Sequence, residues 1–119
     1  MAAGVLLVTT VALTALGFAI AWWLDSTQGY HAVMSVLLIP AWVLSGAMFP
    51  LTGAHPVLSA LMRANPMSYA VAAFRRAMYG GETPAGLVFT SSAALELCVL
   101  GGCAAASLAL AVWVCSRRA

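Results

Sequence analysis

Few residues in this chain are of a type that performs chemistry, and their spacing excludes most of the usual uses. Glu96 is the one charge inside three long apolar runs. His31 and His55 each lack a second ligand four residues on, and with Asp25 and Glu96 they form no nucleophile–base pair and no metal spacing. Cys98, Cys103 and Cys115 are odd in number and lack a C-x-x-C step, so they read as small apolar packing residues, not as a zinc site or a disulfide framework. The chain has no lysine and therefore no G-x-x-x-x-G-K-[ST] phosphate loop. No catalytic residue, metal or nucleotide cofactor is expected of it. The chemistry that remains is that of the backbone. Pro40 withdraws a donor from a helix, and Ser45 and Gly46 follow where they could resatisfy the freed carbonyl or admit a partner backbone. Asn65 precedes Pro66 in the order of a helix cap.

The apolar runs must position these groups. Met1–Leu24, Ala32–Ala54 and Ala93–Cys115 each match the ~20 residues that a helix needs to cross a bilayer. With 64% hydrophobic and 7% charged residues and a mean hydropathy of +1.02, the chain cannot cover a soluble surface, which takes roughly 25% charge. The expected fold is all-α and integral to the membrane, with spans at about 4–24, 32–51 and 93–115. Met1-Ala2-Ala3 offers no basic start for a secretory signal, so the first run is expected to stay as a helix. Trp22 and Trp23 close it at headgroup level. Thr10, Thr14, Gly17 and Ala21 offer a close-packing face, unless the threonines merely bond their own backbone. The short connection 25–31 should make the second span, opened by His31, an antiparallel neighbour of the first. Glu96 lies about one turn inside the third span, where snorkelling is the favoured reading and pairing or function are the alternatives. Gly101, Gly102, Ala105 and Ala106 form a second close-packing surface, and Arg117-Arg118 follow Trp113 as an anchor. The basic residues form no stripe interleaved with aromatics, so no nucleic-acid partner is indicated.

Residues 55–80 are too polar to cross and too apolar for a solvated loop, and read as a re-entrant or interfacial helical hairpin between the second and third spans. Pro56–Arg63 forms two short turns with Val57, Leu58, Leu61 and Met62 on one side. From Asn65 the spacing predicts a second helix with Met67, Val71, Phe74 and Met78 on one narrow face that packs on the spans or on lipid, and with Ser68, Arg75, Arg76 and Tyr79 turned away, the arginines toward water or headgroups. Gly80-Gly81 ends it as a C-cap. Three arginines lie in this connection and two at the C-terminus, so charge alone leaves the orientation open.

The runs I-P-A-W-V-L-S-G-A-M-F-P from Ile39 to Pro50 and A-N-P-M-S-Y-A-V-A-A-F-R from Ala64 to Arg75 resemble the C-terminal half of ABC-2 type transporter permeases, the membrane subunits of bacterial exporters of the daunorubicin-resistance and nodulation-export kind. The resemblance covers roughly Phe18 to the end, and its motif residues are Pro40, Ser45, Gly46, Phe49, Pro50, Asn65, Pro66, Tyr69 and Arg75. It implies a role in the translocation path of an exporter in the bacterial inner membrane, with the C-terminus cytoplasmic and the hairpin dipping into the outer leaflet. It also implies an ABC ATPase subunit that binds the ATP, a second permease copy, and an N-terminal permease half that this sequence lacks. The alternative is a small three-span scaffold without transport activity, which would need the spans but not the hairpin.

Overall fold

The computed structural model describes residues 2–24, 26–48, 53–81 and 92–118. The expectations placed on Asp25, Phe49, Pro50 and Glu82 lie outside the described residues. Among the described residues all regular structure is helical: α1 is Ala2–Trp23, α2 Thr27–Trp42, α3 Pro56–Ala64, α4 Pro66–Met78 and α5 Ala93–Arg118. A π-helical turn, Val43–Ala47, extends α2. Three helices are long and apolar enough to cross a membrane: α1, α2 with its π turn, and α5.

Local chemistry sets the ends. The Ser26 hydroxyl accepts from the Gly29 amide at 3.2 Å, so α2 starts at Thr27 and His31 sits in its second turn, edge-on to Tyr30. Asn65 Oδ1 accepts from the Met67 amide at 3.1 Å, and Pro66 occupies the first helical position of α4, where no donor is missed. At the other end of α4 the Gly81 amide reaches back to the Arg76 carbonyl at 3.0 Å. That closure needs the positive φ of Gly80, 70°.

Small residues decide how the spans meet. α1 and α5 run side by side in parallel, touching through Ala15, Ala19 and Ala111 at one level and through Val5 and Leu100 at another. Without a hydrophobic drive between helices in lipid, such close backbone approach is what holds spans together. Large apolar side chains point outward instead; Leu7, Val36, Ile39 and Val112 are all more than half exposed.

α2 meets α1, as the short connection requires, where Tyr30 and Met34 lie over Gly17, although the main neighbour of α1 is α5. Two expectations are corrected here. Of the stripe Thr10, Thr14, Gly17 and Ala21 only Gly17 is buried, and the Thr10 hydroxyl bonds its own helix at the Leu6 carbonyl, 2.8 Å away. On α4 the buried residues are Ser68, Ala70, Ala72 and Ala73, whereas Val71 and Phe74 are half-buried and Met78 is exposed. The small residues let α4 press close, and its large apolar ones are left on the flank.

Candidate functional site

α4 is wedged between the broken end of the second span and the α1–α5 pair. Ala70 and Ala73 join Val5 and Leu100 in one buried cluster, with Phe74 packed beside it. The opposite side carries Asn65, Ser68, Ala72 and Arg75 at steps of three, four and three, and meets the π turn.

That turn needs partners because its backbone leaves the α-helical ladder. Pro40 brings no amide to α2, and the Val43 amide is shared between the carbonyls of Ile39 and Pro40. Gly46 then takes φ 79°, which turns the chain out of the helix. Carbonyls near such an end lose their intrahelical donors and cannot be left bare at membrane depth. Four side chains satisfy them. Asn65 Nδ2 donates to the Ala41 carbonyl at 2.6 Å, the Ser45 hydroxyl to Trp42 at 2.6 Å, the Ser68 hydroxyl to Leu44 at 3.3 Å, and an Arg75 Nη to Ala47 at 3.2 Å. Three of the four come from α4 or its cap.

Asn65 holds the corner with both ends of its amide: the oxygen caps α4 and the nitrogen binds the second span. Tyr69 adds a bond from its hydroxyl to the Arg63 carbonyl at 2.9 Å, closing the bend between α3 and α4. Met62, 2% exposed, lies over Gly46, where an added β-carbon would sit 3.5 Å from its Cε. Gly46→Ala is therefore expected to destabilise the protein by about 1–2 kcal/mol through the positive φ alone. Thermal unfolding in micelles measures this, and an unchanged midpoint would mean that the turn does not hold its shape in solution.

The other contact of α4 is an ion pair. Arg76 donates from Nε to Glu96 Oε2 at 3.1 Å and from Nη2 to Oε1 at 3.0 Å, a two-pronged bond to a carboxylate only 1% exposed. These hydrogen bonds raise the Arg76 guanidinium above its ordinary value, against the burial that lowers it. Glu96 is thus paired with α4 rather than snorkelling, and Arg76 faces α5 rather than water.

The resemblance places Pro40, Ser45, Gly46, Asn65, Pro66, Tyr69 and Arg75 in one motif; the fold brings Pro40, Ser45, Gly46, Asn65 and Arg75 around one break, with Pro66 and Tyr69 at the neighbouring α3–α4 bend. Sequence reasoning misses Ser68 and the partner of Glu96. The signal for Ser68 lay in the three-and-four spacing of Asn65, Ser68 and Arg75, a polar stripe on the side that reads as solvated. A groove of about 170 Å3 also opens among α1, α4 and α5, with Leu13, Met67 and Cys103 on its walls.

The sequence model described as ABC-2 type transporter matches residues 1–79 of the chain. The match contains both motif runs and all of α1 to α4, and leaves α5 with Glu96 outside it. No curated protein and no solved structure matches the chain.

Proposed function

Because the chain belongs to the ABC-2 type transporter family, we propose that it is a permease component of an exporter, with the broken second span and the α3–α4 hairpin forming part of the translocation path. The observation that carries this reading is the hold of α4 on the π turn. Non-helical backbone at membrane depth is stable only where protein buries it or where it lines a cavity, and Asn65, Ser68 and Arg75 supply the donors that lipid cannot. A scaffold of three spans has no use for such a break. The hairpin is re-entrant on this reading, entering from the outer leaflet of a bacterial plasma membrane, and the C-terminus is cytoplasmic.

Energy comes from a separate ABC ATPase subunit, and the path is completed by further permease spans and a second copy. Gly101 and Gly102 support that need, since a β-carbon added at either would meet no atom within 4 Å, leaving a close-packing face of α5 open to another helix. The test uses the thiol in the groove. With Cys98 and Cys115 replaced by Ser, maleimide labelling of Cys103 in vesicles is expected to change when ATP and vanadate are added to the assembled transporter. Labelling indifferent to nucleotide would count against a place in the path. ATP-driven substrate movement with this polypeptide and an ATPase as the sole subunits would overturn the requirement for further spans.

A further inference from the structure

The ends of α1 and α5 opposite the hairpin enclose a second groove, of about 480 Å3, within the ~300–1,000 Å3 typical of ligand sites. It lies beyond the level at which the two helices touch through Ala15, Ala19 and Ala111. Ala19, Leu110 and Val114 make an apolar floor, and Trp23 and Trp113, 73% and 51% exposed, stand at the rim. Arg117 also lines the groove, with its guanidinium 4.2 Å from the centre of the Trp113 ring. Stacking occupies the face of a guanidinium and leaves its in-plane N–H donors to bind an anion. Among the described residues no carboxylate pairs with Arg117.

We propose that this groove binds one anionic glycerophospholipid, its acyl chain along the apolar floor and its phosphate on Arg117. The ligand follows from the order of the chemistry along the groove, apolar, then aromatic, then cationic, which repeats the order of a lipid from chain to headgroup. The assignment rests on the chain spanning a membrane and not on the transport reading, so either can fail without the other.

The test is quenching of tryptophan fluorescence by lipids with brominated acyl chains. The full chain carrying Trp22→Phe and Trp42→Phe, which keeps Trp23 and Trp113 as reporters, is reconstituted in phosphatidylcholine vesicles and titrated with brominated phosphatidylglycerol or brominated phosphatidylcholine. The anionic lipid is expected to quench at about fivefold lower mole fraction, the effect of one basic residue at the surface. Arg117→Gln should abolish the difference and Arg117→Lys should keep only part of it, with helicity unchanged in both. Equal quenching by the two lipids, or a preference that survives Arg117→Gln, would overturn the site. Full retention in Arg117→Lys would reduce it to diffuse surface charge, and absence of quenching by either lipid would mean that protein covers the groove.

Discussion

Arg76→Ala is expected to destabilise the protein by about 3–5 kcal/mol, the usual consequence of removing one partner from a buried ion pair. The reason is the asymmetry of burial: Arg76 keeps 23% of its side chain exposed, whereas Glu96 keeps 1%. Without the guanidinium the carboxylate is stranded inside α5. Glu96→Gln should cost less, because the arginine left behind still reaches solvent or headgroups. The double variant Arg76→Met, Glu96→Leu should recover most of the loss, since an apolar pair of similar volume serves a buried site about as well as an ionic one. Denaturant or thermal unfolding in micelles measures all three. A single Arg76→Ala that unfolds like the wild type would mean that Glu96 finds another partner or water.

Asn65→Asp separates two roles that a single asparagine combines. For helix capping alone the two residues are nearly equivalent, so a pure cap would register little change. The carboxylate, however, has no donor for the Ala41 carbonyl, which now lies 2.6 Å from the Asn65 nitrogen, and would place negative charge against it. Asn65→Asp is therefore expected to be at least as damaging as Asn65→Ala, which loses the cap, about 1 kcal/mol, and takes the side-chain donor from a partly buried carbonyl, about 1 kcal/mol more. Protease protection of the α3–α4 segment and unfolding midpoints report both changes. Wild-type behaviour of Asn65→Asp would show that the bond to the second span contributes nothing.

The sequence by itself determined that three apolar runs form helices and where α4 begins and ends, because both depend on short-range physics; the start of α2 it placed at His31, whereas the Ser26 cap starts that helix at Thr27. Span length follows from bilayer thickness and from the need of each backbone group for a partner within its own helix, so an apolar run suffices to reveal it. The caps at Asn65-Pro66 and Gly80-Gly81 are contacts between residues a few positions apart, and they stand where those residue types demand. The tertiary structure alone decided the pairings. Glu96 meets Arg76 across 20 residues, and Asn65 and Arg75 meet carbonyls 24 and 28 residues away. No periodicity records such separations. It also decided what the polar side of α4 meets: Ser68 and Arg75 bind the π turn and Arg76 binds α5, where periodicity turned that side to water. In water the large apolar residues of α4 would turn inward; in lipid they lose nothing by facing out, and Ser68, Ala70, Ala72 and Ala73 are buried because they alone let the backbones close.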